Sequence, residues 1–442
     1  MKARAQRKLL AAVMLAGGMF AASRSVCAED ARAVLLTVDR AVDMALAASE
    51  QLQIQQNDVE KRRQQQRQVK AAVYPRVDAA LAWQKNIEYP PATRAALNDY
   101  TLGAGVNATQ LLWSCGRVAA AIALADTLTD IGRWETDARR QEVIYTAKAR
   151  FYSALLAQRT LLIARASLEN VRRNKILMEQ RAAGGRNAKH DLIKMDADLA
   201  SRLPYVSQAE AIFETAMRAL AALIGVEADM RIELQDSAAV DYPPLDLSKA
   251  REAFSRNEPN VQAARRAIAA AEHIVQVQRA GYFPTVTAFA AWDYQGTSDE
   301  QFVGASHLDS YGVAGVKVTV PLWTGGALAA GLQQAKIDVR NAQLQWRRAD
   351  KDLRVALDTA VAEYRQYRDT LAANEQAVRL AQEAFAMSQD LFASGQISLT
   401  DVNDAEQLLT LESVRRETTV FNVHLTVARI EQLTGERSGG KP

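Results

Sequence analysis

Apolar and polar residues alternate in two separate stretches of the chain, and each alternating stretch follows a proline. The first begins VKAAVYPRVDAALAWQ at Val69, and the second begins RAGYFPTVTAFAAWDYQG at Arg279. The residue before a proline is pushed out of the helical region, and alternation with a period of two indicates a strand. A polar loop and a second alternating run follow each stretch. The pattern predicts two β-hairpins, each set between two helices.

The two hairpins belong to an internal duplication. Pro75 matches Pro284, and Trp83 matches Trp292, at an offset of 209 residues. Further pairs keep an offset of 210: Trp113/Trp323, Gly116/Gly326, Gly185/Gly395, Asp191/Asp401 and Gly225/Gly435. The change of one residue falls in the hairpin loop, where a change in length costs least. The chain therefore consists of two copies of one unit, at about 36–225 and 245–435.

Long helices with a coiled-coil pattern follow each hairpin. In the second copy, seam positions step by alternating fours and threes. They are Leu357, Ala360, Tyr364, Tyr367, Leu371, Asn374, Val378, Ala381, Phe385, Ser388 and Phe392. In the first copy a comparable stripe holds Ile144, Ala147, Phe151, Leu155 and Leu162. About 65 residues separate each hairpin from the next glycine break, which predicts a helical rod of roughly 100 Å.

The N-terminus has the pattern of a secretory signal. A basic head, MKARAQRK, is followed by the apolar LLAAVMLAGGMFAA and by small residues up to Ala28. A lipid anchor would need Cys27 as the first mature residue and an apolar residue three positions earlier, where Arg24 stands. We therefore expect cleavage after Ala28 without lipidation.

These features divide the chain into successive segments. We predict a signal peptide over 1–28, a linker over 236–246 and a disordered tail over 436–442. The first repeat covers 29–235, with a hairpin at about 74–113 and a tip near 184–190. The second repeat covers 247–435, with a hairpin at about 283–323 and a tip near 395–400. Thr37 and Asp246 occupy matched positions as N-caps of the helices that lead into the hairpins.

Charge and cysteine content narrow the possible functions. The signal removes five of the 54 basic residues, so 49 remain against 51 acidic residues. This balance gives no support for a nucleic-acid partner. Cys115 is the single cysteine left in the mature chain, which excludes an intramolecular disulfide. The mature chain also has no uncharged apolar run of membrane-helix length, so any membrane contact has to be made by strands.

The strands have one apolar and one polar face, and aromatic residues lie near their predicted ends. These are Trp83, Trp113, Trp292, Tyr294, Tyr311 and Trp323. Aromatic girdles of this kind flank the apolar band of outer-membrane barrels, although a half-buried sheet with a few aromatics is the alternative for a single hairpin. Four strands are too few to close a barrel, whereas three chains supply about twelve. The smallest closed assembly is a trimer.

The chain resembles the TolC-like outer-membrane efflux protein family over nearly its whole mature length. The resemblance rests on the duplication, on YPRV and FPTV at strand starts, on LLWSCGR and PLWTGGA at strand ends, and on GRNAKHD and GQISLTD at the tips. It implies a mainly α protein with a membrane β-barrel: a homotrimeric twelve-stranded barrel in outer-membrane lipid, carried on a periplasmic α-helical barrel.

The resemblance also implies a function and partners. Members of the family conduct drugs, small toxic solutes or exported protein passively, as the exit duct of tripartite efflux or type I secretion systems. The implied partners are a periplasmic adaptor and an inner-membrane transporter, and no cofactor is implied. The residues do not indicate which cargo or which transporter class is used.

The tip of the second repeat carries the candidate gate. In the family, acidic selectivity rings fall at the positions of Asp401 and Asp404, and the position of Asp191 helps to hold the aperture shut. Ile397 stands where many members have an arginine for that lock. The alternative for Asp401 and Asp191 is that each only stabilises the positive N-terminus of its helix.

The same tips carry candidate adaptor-docking residues. Gly185 and Gly395 are expected to take a left-handed conformation in which each long helix reverses direction. We expect the neighbouring side chains to be exposed for docking: Arg181, Arg186, Phe392, Gln396 and Ser398. The alternative is that these are solvated turn residues.

Two other classes of protein are alternatives to a channel. For an enzyme, the four histidines lie far apart in the sequence without metal-ligand spacing: His190, His273, His307 and His424. No phosphate-binding loop or nucleophile elbow accompanies them, so we predict no catalytic, cofactor or metal residues. A non-conducting trimeric coiled-coil surface stalk or adhesin would share the heptads, but it would not need two hairpins at matched points of two repeats.

Overall fold

The computed structural model describes residues 34–87, 98–183, 189–226, 232–235, 245–304 and 308–435. The predicted signal over 1–28 with Cys27, the tail over 436–442, Gly185, Arg186, His307 and most of the linker lie outside the described residues.

Within these residues the chain forms six strands and eight α-helices. The strands are β1 (Val34–Leu36), β2 (Arg76–Lys85), β3 (Tyr100–Trp113), β4 (Ile232–Leu234), β5 (Thr285–Ser298) and β6 (Leu308–Thr319). The helices are α1 (Val38–Ala48), α2 (Glu50–Lys70), α3 (Arg117–Ala183), α4 (Lys189–Ile224), α5 (Leu247–Asn257), α6 (Pro259–Ala280), α7 (Ala327–Ser394) and α8 (Leu399–Thr434). No helix in the described part of the chain combines the length and apolar character that a membrane span requires.

The predicted rods are confirmed. Helix α3 has 67 residues and α7 has 68, so each extends for roughly 100 Å. Each long helix packs against the return helix of its own repeat, and α3 also packs against α8 of the second repeat. The predicted N-caps are present too, because Thr37 accepts a hydrogen bond from the backbone N–H of Arg40 and Asp246 accepts one from that of Ser248.

The two hairpins join into one antiparallel sheet with the strand order β2-β3-β5-β6. The β3–β5 pair connects the repeats, with Tyr100 opposite Ser298 and Val106 opposite Trp292. Strands β2 and β6 are the edges, and each edge has backbone groups that no other described strand pairs. One chain therefore supplies an open four-stranded sheet.

Each repeat has its own apolar core at the matched height of its helices. In the first repeat Phe151 of α3 is buried with Ala45 and Leu220, and in the second Val361 of α7 is buried with Phe254 and Ile430. The predicted stripe of α3 is wrong at Leu162, which is half exposed. Ala154 and Leu161 are buried instead, because the contact face turns with the 3.6-residue period of the helix.

A third apolar cluster lies at the tips and is shared by both repeats. We call it the tip cluster: Val171, Met178, Met195, Phe385, Phe392, Leu399 and Val402. Its members come from α3, α4, α7 and α8. The ends of the two helical hairpins are therefore packed against each other.

Candidate functional site

Gly395 reverses the chain at the tip of the second repeat. Its φ of 82° lies in the left-handed region, as predicted, and its N–H donates to the carbonyl of Phe392 at 3.0 Å. Gln396 then donates to the carbonyl of Leu391 at 2.9 Å. These bonds satisfy carbonyls at the end of α7. A Cβ at Gly395 would meet no atom within 4 Å, so backbone conformation alone favours glycine here.

Ser398 and Asp401 form a reciprocal cap at the start of α8. The backbone N–H and the hydroxyl of Ser398 both donate to Asp401 Oδ2, at 2.9 and 2.7 Å, and the N–H of Asp401 donates to Ser398 Oγ at 3.3 Å. These bonds lower the pKa of the exposed Asp401 carboxyl. The bond from the Ser398 hydroxyl is the larger cause, and the bond from the Ser398 backbone N–H is the second. The Asp401 carboxylate therefore stabilises the N-terminus of its own helix, which is the alternative to a ring residue given in the sequence analysis.

Asp404 lies one turn further along α8, and its side chain is exposed. Its carboxylate makes no hydrogen bond or ion pair within the described part of the chain. The spacing of three residues puts Asp401 and Asp404 on one side of the helix. Of the two predicted ring residues, Asp404 is the one whose charge has no local structural use.

The matching tip of the first repeat is described only in part. Arg181 lies in the last turn of α3 and Asp191 in the first turn of α4. Gly185 and Arg186 fall between these helices, outside the described residues. Lys194, which occupies the position of Asp404 in the first repeat, is exposed. The acidic pair of α8 is thus not duplicated.

Phe392 is not exposed, so the sequence-based expectation for its docking surface is wrong. Only 5% of the residue is accessible, because its ring packs into the tip cluster. Its place on the α7 seam, also predicted from the sequence, is the physical reason. Gln396 and Ser398 are exposed as expected. Ile397 packs partly buried against the tip cluster, which accounts for an apolar residue at that position.

A buried ion pair beside the tip cluster was not predicted. Arg202 Nη2 of α4 lies 3.0 Å from Glu406 Oε2 of α8, without the orientation of a hydrogen bond. Arg202 also donates to Ser167 Oγ at 2.7 Å. Glu406 interrupts the apolar stripe formed by Leu399, Val402 and Leu409. A charge on such a stripe is the signal that could have indicated a buried partner.

The register divides the four-stranded sheet into two faces, because residues paired across antiparallel strands point to the same side. The apolar face consists of the odd-numbered residues 77–85 of β2 and the even-numbered residues 100–110 of β3, 286–298 of β5 and 308–318 of β6. The opposite, polar face carries Asp78, Asn107, Asp293 and Lys317. One surface suits lipid and the other suits water.

The aromatic residues do not all lie where a girdle requires them. Trp83 lies at the loop end of the apolar face, and Trp113 lies at the helix end, where a register shift after Leu111 places it opposite Val286. Trp323 follows β6 at the same end and is 87% exposed. Trp83 at the loop end, and Trp113 and Trp323 at the helix end, are placed as two aromatic girdles would require.

Two of the girdle assignments need correction. Trp292 pairs with Val106 and Gly312 halfway along the strands, so it is not at a strand end. Tyr311 pairs with Asp293 and lies on the polar face, opposite to the face that a lipid girdle occupies. The aromatic residues lie on or beside the predicted strands. Their positions along the strands and the face of the sheet on which they lie depend on the register between strands.

The remaining candidate chemistry is sparse. Within the described residues no three or more His, Cys, Asp or Glu side chains form a group that could hold a metal ion. His273 has a buried Nδ1 with no hydrogen-bond partner, and His424 stacks on Tyr152 with ring centroids 4.1 Å apart. These two histidines lie on different helices, α6 and α8.

Comparison with known proteins agrees with the family resemblance seen in the sequence. Residues 251–436 match the family described as "Outer membrane efflux protein". This match covers the second repeat, which is less than half of the chain, and the chain is similar to the TolC-like outer-membrane efflux proteins. Several of its relatives and structural neighbours are outer-membrane proteins by name.

Individual relatives of this TolC-like chain are distant in sequence. It is 25% identical to "Nodulation protein T" of Rhizobium leguminosarum bv. trifolii over 60% of this chain and 55% of the relative. It is 24% identical to "Outer membrane protein TolC" of Vibrio cholerae over 68% of this chain and 69% of the relative. The matched segment thus covers only 55% of the length of the first of these relatives.

The fold is shared over a greater length. The outer membrane protein VceC of Vibrio cholerae superposes with a TM-score of 0.77 at 19% identity, covering 90% of this chain and 96% of that one. The OprN outer-membrane channel gives a TM-score of 0.77 at 18% identity over 90% of this chain and 89% of that one. Both hairpins and both helical repeats therefore follow an outer-membrane channel fold.

Proposed function

We propose that three copies of this chain form an outer-membrane exit duct that conducts substrate passively from the periplasmic side to the exterior. The observation that carries the proposal is the sheet, which has an apolar face, a polar face and two open edges on one chain. Open edges in an apolar medium leave backbone groups without hydrogen bonds. Pairing β2 of one copy with β6 of the next removes every edge, and three copies give twelve strands.

The long helices extend the same duct into the periplasm. Each copy contributes two helices roughly 100 Å long, and each of them is paired near its tip with a 36-residue return helix. Three copies therefore give a wall of twelve helices around the axis of the barrel at the tips. A coiled-coil stalk alone would not account for the polar face of the sheet. That face lines a water-filled lumen once the edges close.

The proposed partners are a periplasmic adaptor and an inner-membrane transporter. The names of the relatives support both uses of the duct, since they include "Outer membrane efflux protein BepC" and "Proteases secretion protein PrtF". At the tips, Gly395, Gln396 and Ser398 form the exposed turn that we assign to adaptor docking. We assign Arg181, Gly185 and Arg186 of the first repeat to the same role. Phe392 supports this turn from inside and does not contact the partner.

The proposed gate is a ring of acids at the tip. In a threefold assembly three copies of Asp404 surround the axis, and clustered carboxylates at a narrow aperture attract cations. Asp401 holds the start of α8 in place through its cap and adds charge beside the ring. Asp191 at the matched position of the first repeat contributes to closure. We assign no catalytic or cofactor-binding role to the duct.

Two experiments test the proposal, one on assembly in detergent and one on partners in cells. Analytical ultracentrifugation of the full chain in mild detergent is expected to give a trimer, and a folded monomer as the sole species would contradict the proposal. Cross-linking in cells is expected to recover an adaptor and a transporter. A proton-driven pump would indicate efflux as the use, and a transporter with a peptide-processing domain would indicate protein export.

A further inference from the structure

The apolar face carries one charged residue within the described strands, Lys85. It is the last residue of β2, at the loop end of the sheet, opposite Tyr100. The side chain is exposed. In the described part of the chain no carboxylate lies within the 4.0 Å of an ion pair from its ammonium group. A single cation thus ends a surface that otherwise suits lipid chains.

Two stacked aromatic rings lie next to the Lys85 ammonium group. The Nζ atom of Lys85 lies 5.4 Å from the centroid of the Tyr100 ring. That ring stacks on Trp83 with centroids 5.6 Å apart and an interplanar angle of 24°. Trp83 Nε1 in turn donates to the carbonyl of Gln301 at 3.1 Å. The cation–π contact and the indole bond hold all three side chains together at the loop end of the sheet.

This end of the sheet lies at the boundary between the acyl chains and the polar headgroups. Lysine stems lie along apolar surface while the ammonium group reaches the polar layer, and tryptophan and tyrosine prefer the same depth. In the proposed duct the helices lie in the periplasm, so the loop end of the sheet is in the outer leaflet. The anion available at that depth is the phosphate of a lipid headgroup, and an ammonium group that no described carboxylate pairs can bind it.

We propose that Lys85, Tyr100 and Trp83 form a binding site for the phosphate-bearing headgroup of an outer-leaflet lipid. Lys85 supplies the charge, and the two rings contact the apolar part of the same lipid. The site depends on the location of the protein in the outer membrane. It does not depend on conduction through the lumen.

Native mass spectrometry of the full-length protein tests the site. The parent, Lys85→Gln and Lys317→Gln are purified in mild detergent and mixed with lipid A in a background of phosphatidylcholine. Lys317 is the matched control because it is an exposed lysine on the polar face of the same sheet. We expect Lys85→Gln to retain about fivefold less lipid A, while Lys317→Gln retains as much as the parent. Lys85→Arg should keep binding, and Tyr100→Ala should weaken it.

Three results would overturn the proposal: equal retention by Lys85→Gln and the parent, an equal loss in Lys317→Gln, or displacement of lipid A by inorganic phosphate at the same phosphate concentration. The last would indicate a site for a free anion. Ion conductance of Lys85→Gln in bilayers, expected to equal that of the parent, separates a failure of this site from a failure of the duct.

Discussion

The guanidinium of Arg202 lies 3.0 Å from the carboxylate of Glu406, across the boundary between the two repeats. Only 2% of the Glu406 side chain is accessible, and Thr410 donates a hydrogen bond to its other oxygen. Arg202 is also close to Asp198 of its own helix, at 3.4 Å. This ion pair, together with the tip cluster, joins the second helical hairpin to the first at the end where we propose the gate.

Glu406→Gln should destabilise the assembly strongly, because it leaves the buried Arg202 with weaker compensation for its charge. Breaking a buried pair from one side costs roughly 3–5 kcal/mol. The matched control is Asp358→Asn, which breaks the exposed pair with Arg251 and should cost at most about 1 kcal/mol. Thermal midpoints from helical circular dichroism compare the two. Equal shifts would mean that the Glu406 pair contributes no more than a surface pair.

Gly395→Val should weaken adaptor binding and leave the trimer intact. A side chain at a φ of 82° is strained by roughly 1–2 kcal/mol, and the strain distorts the exposed turn without entering a packed region. Gly331→Ala in α7 is the control, since its backbone is not left-handed. A pull-down with the purified adaptor measures the effect. Undiminished binding by Gly395→Val would argue against docking at this turn.

The cap at the start of α8 should depend on pH. Ser398 lowers the pKa of Asp401 in the folded chain. The stabilisation is therefore fully present above the unfolded pKa of about 3.9 and is lost as the pH falls through the lower folded pKa. In hydrogen exchange, tip amides of Asp401→Asn should exchange faster than those of the parent at pH 7, and the ratio should approach one as the pH falls below about 3. A ratio that does not change with pH would exclude the cap.

The turn between β3 and α3 should tolerate glycine better than cysteine. Cys115 has a φ of 48° and is the single non-glycine residue with a positive φ in the described ranges; Gly325 takes a φ of 59° at the matched position of the second repeat. Gly325→Ala should lower the free energy of unfolding by about 1 kcal/mol. Cys115→Gly should leave it unchanged or raise it slightly. Thermal midpoints of both variants decide this, and stabilisation by Gly325→Ala would contradict the argument.

Local patterns in the sequence were sufficient to predict the repeated elements. Prolines, the period of two and the glycines predicted two hairpins and two rods, and the structure places strands and 67- and 68-residue helices at these positions. The caps at Thr37 and Asp246 were likewise visible, because a cap depends on residues three or four positions apart. The short parallel pair β1–β4, with Leu36 opposite Leu234, was not predicted, because three-residue strands carry little periodic signal.

The parts of the site that depend on packing between elements could not be predicted in the same way. Phe392 and Gln396 are only four residues apart, yet one is buried and the other exposed, and the difference is made by residues of α3 and α4. The side on which Tyr311 lies follows from its pairing with Asp293. The Arg202–Glu406 pair joins residues 204 positions apart in sequence. One sequence contains no direct information about such pairs.

The reversal potential of single channels in planar bilayers across a salt gradient tests the central claim most directly. The full-length trimer should conduct and should prefer cations, because the proposed gate places three Asp404 carboxylates around the aperture. Asp404→Asn should move the reversal potential toward zero and reduce block by multivalent cations, with Lys194→Gln as the matched control at the other tip. Phe392→Ala, which loosens the tip cluster, should conduct more than the parent. Trimers that never conduct, even with Phe392→Ala, or an identical reversal potential in Asp404→Asn and the parent, would contradict a conducting duct with an acidic gate.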